Sequence, residues 1–572
     1  MYLVALIELF ILNYNTLLKR TFQTSMSSLA LVAILGLPTI NAQKTNLVQN
    51  SPKSPKLVLG IVVDQMRWDY LERFAPLFKA NGGFKRMMSQ GFSNDNCQIG
   101  YTPSVTACGH TGIYTGTVPA IHGITGNAWY DAQLKRNVYC SEDRTVDGVG
   151  AAGASDGKMS PRNMLTTSIA DELRMASNFK SKVIGIAIKD RGAILPAGHS
   201  ANGAYWFDAK SGNFITSTYY YNELPNWVKK FNDRQVPDSL LKLGWNKSLS
   251  DQAYLQYATE DEKVYESKPF GANQTKMPYQ LTRTANEGFG KISTTPWGNT
   301  LTAEMAKAAV LAEALGKDDI TDMLAVSFSS PDYIGHSFGP NSWEVVDNYI
   351  KLDEELGKLF DFLDATVGKG AYTAFLSADH AVAHVPGFMK ENKLPGGLLD
   401  DKSAMAEMNA AIKTKFGIDK AVVSLFNYQV HFNRDLLDSL NANVKAINQF
   451  MVQYLMKKDY ILNAFPTSEI LTSPMPQYLR EKLANGFLFN RGGDIQMILK
   501  SGYIDGGPTG TTHGLWYAYD AHIPLLWYGF GIKQGRSSKR VFMHDIASTV
   551  AALLKIQEPS GNIGQPIQEA LK

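Results

Sequence analysis

The sequence predicts an α/β fold: a central, mostly parallel sheet sandwiched by helices and carrying inserted lobes. Three apolar, β-type runs recur along the chain, LVLGIVVD closing at Asp64, DMLAVSFSSPD closing at Asp332 and AYTAFLSAD closing at Asp379. Stretches with helical spacing lie between them, which is the alternation of βα units. Each run also ends on an aspartate, and in open parallel sheets ligands sit outside the carboxyl ends of the strands. Carboxylates far apart in sequence can therefore converge on one crevice, where they repel one another unless a cation intervenes.

Along the chain, Lys19 and Arg20 precede the apolar stretch SSLALVAILGLPTI, and Ala42 offers a small residue for cleavage. Residues 1–42 read as an export signal, with Met26 as an alternative start, so the mature protein is expected to be periplasmic or secreted. The apolar stretch is too short to span a bilayer comfortably, and no stable membrane insertion is expected after cleavage. Residues 43–55 form a polar lead. A strand over 57–63 delivers Asp64, and helical material follows as far as Gly91. Pro103 marks a turn before a helix predicted to start near Thr106. Helix TTSIADELRMAS and strand KVIGIAIKD come next, the strand ending in Lys189, Asp190 and Arg191. The segment AYWFDAKSGNFITSTYYY reads as a hairpin turning at Ser211-Gly212, inside an inserted lobe of about 195–300.

Helix LTAEMAKAAVLAEAL, the strand reaching Asp332 and helix VVDNYIKLDEELGKLFDFLDATV resume the alternation, and the strand reaching Asp379 closes that block. A second insertion of about 384–507 contains the strand-like AVVSLFNYQVHFN. Strand IPLLWYGFGI and helix DIASTVAALL end the chain. Because the candidate site spans Asp64 to His513, residues 43–572 are expected to form a single catalytic domain with insertions.

A hydrophobic fraction of 44% with 19% charged residues is ordinary for a globular protein. The net charge of +3, without a Lys/Arg-rich run, argues against nucleic acid as partner. The cysteines Cys97, Cys108 and Cys140 are odd in number and lack zinc-ribbon spacing, so a thiolate metal site is not expected.

Histidines accompany the aspartates: His336 lies four residues after Asp332, His380 adjoins Asp379, and His513 sits in GTTHG. Any one strand-end aspartate could merely cap a helix. Three aspartates and three histidines together make a nitrogen/oxygen set suited to two zinc ions with positions open for substrate. Thr106 is the nucleophile candidate, because a hydroxyl at a helix N-terminus meets the positive end of the helix dipole, and a nearby cation lowers the pKa of an oxygen acid. A plain N-cap role for Thr106 stays open at this point, as do Cys108, Ser104 and Thr102 as rivals.

The segments LVLGIVVDQMRWDY, TPSVTACGHTGIYTGTVPAIHGITGN, SSPDYIGHSFGPNS, FLSADH and GTTHG, in that order, resemble the alkaline phosphatase superfamily. Within it they are similar to the phosphate-irrepressible alkaline phosphatases of the PafA type, near the nucleotide pyrophosphatase/phosphodiesterases. The resemblance runs from about residue 56 to 570. It implies an alkaline-phosphatase-like fold and a secreted enzyme hydrolysing small phosphate monoesters through a phosphothreonine. It further implies one zinc on Asp332, His336 and His513, and another on Asp64, Asp379 and His380 with Thr106. Asn127 would hydrogen-bond a phosphoryl oxygen, and Lys189 with Arg191 match the pair that marks the monoesterase branch. A monoester dianion carries more charge than a diester, and two cations would meet it; local sequence without the resemblance favours a solvated Lys-Asp-Arg turn instead. The chain departs from the pattern at Ala381-Val382, where a glycine commonly follows the histidine. A phosphodiesterase or nucleotide pyrophosphatase with the same metals, and a secreted zinc- or phosphate-binding protein without turnover, are the alternatives. A sulfatase is disfavoured because Cys108 is followed by Gly109-His110 rather than by the proline and arginine of that branch.

Overall fold

The computed structural model describes residues 54–153, 156–284 and 287–572; the export signal expected at 1–42 lies outside them. The main-sheet strands are β1 (Leu57–Val63), β2 (Phe92–Gln98), β3 (Val183–Ala187), β4 (Gly203–Asp208), β5 (Asn213–Ser217), β6 (Asp322–Phe328), β7 (Tyr372–Ser377) and β8 (His522–Gly529). Across the sheet they run β2-β8-β7-β1-β6-β3-β4-β5, with short strands added beyond β2 and β5. The five neighbours β7, β1, β6, β3 and β4 are mutually parallel. Strand β8 runs antiparallel between β7 and β2, and β5 runs antiparallel to β4. The central strands are buried along their whole length and read as unbroken apolar runs, as expected of strands covered on both faces.

The covering helices include α1 (Thr106–Thr115), α2 (Asp190–Ala197), α3 (Trp297–Ala312), α4 (Ser330–Phe338), α5 (Trp343–Leu363) and α6 (Asp545–Leu554). Helix α5 shows the pattern most clearly. Leu352, Leu356, Leu359 and Leu363 recur at helical spacing and are fully buried in the main apolar core. Each such leucine contributes roughly 1.5–3 kcal/mol through removal from water.

Two features differ from the sequence expectation. The stretch read as a lobe from 195 begins instead as main sheet, because Ala204 to Phe207 are all buried and β4 pairs in parallel with β3. The run AVVSLFNYQVHFN is two strands, Val422–Ser424 and Gln429–Phe432, separated where Asn427 and Tyr428 both take φ of 58°. A strand cannot continue through left-handed residues. These strands join Ile461–Pro466 and Ile495–Leu499 in a four-stranded antiparallel sheet with its own apolar cluster, which includes Met408, Ile412 and Met451. Ser54–Lys572 form one compact unit. Among the described residues no helix is long and apolar enough to cross a membrane.

Helix α5 also carries a buried acid, Glu344, which accepts a hydrogen bond from the Tyr279 hydroxyl at 2.5 Å. Burial and then the Asp261 charge push its carboxyl up to about 8, while burial and then Glu344 push Glu266 up to about 9. Both groups hold a proton more tightly folded than unfolded, so their stabilisation is complete below the ordinary value of 4.5 and is lost as pH rises through those values. Thermal melts should therefore show this contribution fading from about pH 5 to about pH 9, and Glu344→Gln should flatten the dependence. Parallel pH profiles in the parent and the variant would contradict this reading.

Candidate active site

The four adjacent parallel strands each deliver a functional side chain at the same edge of the sheet. Asp379 and His380 follow β7, Asp64 follows β1, Asp332 lies in the first turn of α4 after β6, and Lys189 stands between β3 and α2. Asp64 and Asp379 are fully buried and Asp332 nearly so. Lys189 Nζ donates to Asp64 Oδ2 at 2.7 Å and to Asp332 Oδ2 at 2.5 Å. Gln65 joins the carboxylates of the neighbouring strands. Its backbone N–H donates to Asp379 Oδ1 at 3.1 Å and its side chain Nε2 to Asp332 Oδ1 at 2.8 Å. It does so from a left-handed backbone, φ +67°, a conformation that costs a non-glycine residue on the order of 1 kcal/mol.

The histidines are oriented by main-chain carbonyls. His336 Nδ1 lies 2.7 Å from Thr511 O, His380 Nδ1 3.0 Å from Ala381 O, and His513 Nδ1 2.8 Å from Ser104 O. A carbonyl only accepts, so each Nδ1 carries the proton and each Nε2 is the atom left for a ligand. Those Nε2 atoms face carboxylate oxygens: His336 and His513 lie 3.1 and 3.6 Å from Asp332 Oδ1. His380 lies 3.4 Å from Asp379 Oδ2 and 3.5 Å from Asp64 Oδ1. The His380 and His513 rings stack with centroids 3.4 Å apart.

The electrostatics show carboxylates that the neighbouring positive groups offset only in part. Burial, then the charges of Asp332 and Asp379, push the Asp64 carboxyl well above the usual range despite Lys189. Against the upward push of burial, His336 and Lys189 hold Asp332 well below it, and His380 and His110 hold Asp379 below it. Burial draws His380 and His513 down, favouring neutral rings, while the Asp332 carboxylate overrides burial to raise partly exposed His336. Asp64 Oδ1 and Asp379 Oδ2 are buried without a hydrogen-bond partner. Such atoms are costly unless something positive meets them.

Two groups could hold a metal ion, Asp64 with Asp379 and His380, and Asp332 with His380 and His513, the donor atoms of each lying within 4.8 Å of one another. The second group is closed by His380 rather than by His336, which reaches the site through Asp332. Oxygen and imidazole donors without a thiolate fit zinc, and the orphaned carboxylate oxygens fit a cation of any kind.

Thr106 is the first residue of α1, and Val105 before it is extended and makes no side-chain cap. The Thr106 hydroxyl faces the site instead, 3.4 Å from His380 Nε2 and 3.5 Å from Lys189 Nζ. The Ala107 N–H donates to Asn127 Oδ1 at 2.9 Å, which leaves the Asn127 amide N–H groups for another acceptor. The rival nucleophiles are engaged elsewhere. Ser104 and Thr102 donate to Leu515 O and Gly514 O, and Cys108 donates to Ile124 O with its thiol pushed well up by burial and then Cys140. Arg191 Nη1 donates to the Tyr139 hydroxyl at 3.0 Å.

Sequence reading missed Gln65, His110, Tyr139 and Asp520. His110, four residues after Thr106, returns to Thr106 O at 2.9 Å and stands 3.3 Å from Asp379 Oδ2, so its i,i+4 spacing was the available signal. Asp520 accepts from the Gly514 and Leu515 N–H groups at 3.1 and 2.8 Å and so holds the His513 loop. At the Ala381-Val382 departure the backbone needs no glycine: Ala381 is buried, its N–H donates to Asp520 O at 2.9 Å, and it is not among the left-handed non-glycine residues.

The type I phosphodiesterase / nucleotide pyrophosphatase family profile matches residues 58–515. The chain belongs to this family. It is 48% identical over 534 residues to alkaline phosphatase PafA of Elizabethkingia meningoseptica, covering 93% of this chain and 96% of that protein. It is 47% identical over 547 residues to alkaline phosphatase PhoV of Synechococcus elongatus, covering 95% and 98%. A crystal structure of wild-type PafA matches with a TM-score of 0.89 at 48% identity, over 91% of this chain and 100% of that one.

Within this family member, α1 and the Asp379 strand end approach so closely that a Cβ at Gly109 would lie 2.2 Å from Asp379 O and 2.5 Å from its Cα. Gly to Ala inside a helix ordinarily stabilises by about 0.4–1 kcal/mol. Gly109→Ala should do the opposite, lowering Tm and displacing Asp379 from Thr106 with at least a tenfold loss of activity. A variant as stable and active as the parent would show that the approach is not required.

Proposed function

We propose that the chain is an exported alkaline phosphatase that holds two zinc ions and hydrolyses phosphate monoesters through a phosphothreonine at Thr106. The observation that carries this reading is the Thr106 hydroxyl, uncapped at the start of α1 and 3.5 Å from Lys189 Nζ, beside buried carboxylates with orphaned oxygens. The kinship with PafA and PhoV supports it. Asp64, Asp379 and His380 would hold one ion, and Asp332, His336 and His513 the other, with His380 within reach of both. When bound, the two cations supply Lewis acidity and offset the carboxylate charge.

The residues of the chain supply the rest. Thr106 Oγ1 attacks phosphorus in line, the P–O bond to the alcohol breaks, and the alcohol leaves. Water then attacks the phosphothreonine, releasing inorganic phosphate and restoring the hydroxyl. Asn127 offers its amide N–H groups to a non-bridging oxygen, and the first turn of α1 presents the positive end of its dipole to the same group. Lys189 and Arg191 meet the extra negative charge of a monoester dianion, so most of the rate enhancement comes from positioning and electrostatics. The family's name includes phosphodiesterases, but a diester lacks the charge that would make use of both cations. The basic, apolar and small-residue order of residues 1–42 supports export.

The test is a comparison of kcat/KM for an aryl phosphate monoester and the matching methyl diester, with acid-quenched enzyme examined for bound phosphate. The monoester should be preferred and the label should map to Thr106. Thr106→Ala should abolish labelling, and Thr106→Ser should keep substantial activity. Preference for the diester would favour the phosphodiesterase reading, and label at Ser104 or Cys108 would displace Thr106.

A further inference from the structure

Arg191 is a long side chain whose usefulness depends on where its guanidinium is held. The hairpin formed by Ala128–Asp131 and Arg136–Tyr139 holds it. Asn127 opens the hairpin, Ala128 pairs with Tyr139 across it, and the N–H of Cys140 donates to Asn127 O at 3.0 Å. Tyr139 is thereby returned beside the active site although it lies 12 residues after Asn127. Its hydroxyl donates to Asp190 Oδ1 at 2.6 Å and accepts from Arg191 Nη1 at 3.0 Å. Asp190 Oδ1 also accepts the Arg191 backbone N–H at 2.5 Å. The phenol is therefore a bridge with its proton committed to the carboxylate and its lone pair committed to the arginine. Arg191 Nε stays buried without a partner, and the guanidinium is close enough to Asp64 and Lys189 for their charges to act on one another.

We infer that Tyr139 is the positioning residue for Arg191, and that through it one hairpin sets both Asn127 and Arg191 for the phosphoryl group. This rests on the monoesterase reading. Holding Nη1 from the hairpin side fixes the planar fork before substrate arrives, so that less rotamer freedom is lost when a phosphoryl oxygen binds. A diester, carrying less charge, draws less on the arginine. Tyr139 therefore acts on selectivity while touching no reacting atom.

The experiment is Tyr139→Phe, which removes one oxygen and keeps the ring, measured in the parent and in an Arg191→Ala background. Monoester kcat/KM should fall roughly tenfold in the parent background, the loss expected for a mislaid charge-assisted contact. The affinity for inorganic phosphate as a competitive inhibitor should fall with it. The methyl diester should change less than threefold, and in the Arg191→Ala background Tyr139→Phe should have almost no further effect. Equal losses on monoester and diester, or a full loss that persists without Arg191, would make Tyr139 a general structural support and overturn the inference. An unchanged monoester rate in Tyr139→Phe would overturn it too. A parent protein that does not hydrolyse the monoester would instead overturn the functional reading on which it rests.

Discussion

Three carboxylates, Asp64, Asp332 and Asp379, are buried at the ends of three adjacent parallel strands, and their mutual repulsion is the constraint around which the site is arranged. In a medium of lower dielectric than water, like charges a few ångströms apart are costly. Lys189 neutralises part of that charge, yet Asp64 is still forced toward its protonated form and two carboxylate oxygens are left without partners. The histidines relieve only part of the crowding: His336 helps to hold Asp332 below the usual range, while burial draws His380 and His513 toward neutral rings whose Nδ1 protons meet backbone carbonyls and whose Nε2 lone pairs face the same oxygens. Additional positive charge at its centre would relieve the repulsion that remains.

The fold bears this cost through close approach and strain. Gly109 lets α1 come against the Asp379 main chain, which places the Thr106 hydroxyl against His380. Gln65 accepts a left-handed backbone in order to hydrogen-bond carboxylates from two other strands. Asp520 ties down the loop carrying His513. Each of these contacts joins segments far apart in sequence, so the geometry near Thr106 depends on the central sheet being complete.

Much of this was legible in the sequence, and the boundary of legibility has a physical cause. The strand ends at Asp64, Asp332 and Asp379 were visible because apolar runs and their terminating polar residues are local signals, and the start of α1 at Thr106 was visible because Pro103 announces a turn. Strand order was not visible. Nothing in the run AYWFD says that it pairs with β3 rather than closing a separate lobe, since pairing partners are chosen by tertiary packing. The supporting residues were hidden for the same reason. Gln65 and Tyr139 are unremarkable as residue types, and only the three-dimensional return of the chain gives them carboxylates and an arginine to hold. His110 carried a readable i,i+4 relation to Thr106, but the spacing alone did not reveal that it faces Asp379. The alternation that broke at Asn427 was concealed because left-handed φ at a non-glycine residue has no strong composition signal.

The most direct test of the central claim is to strip the protein with a chelator and follow its Tm as zinc is titrated back. If the carboxylate cluster is built around cations, Tm should climb by several degrees, following the mass-action relation in which ligand at about a hundred times its Kd stabilises by about 2.7 kcal/mol. The climb should level off as elemental analysis reaches about two ions per chain, the occupancy expected of a two-metal site. An unchanged Tm with no retained metal would show that the protein satisfies its buried carboxylates without cations.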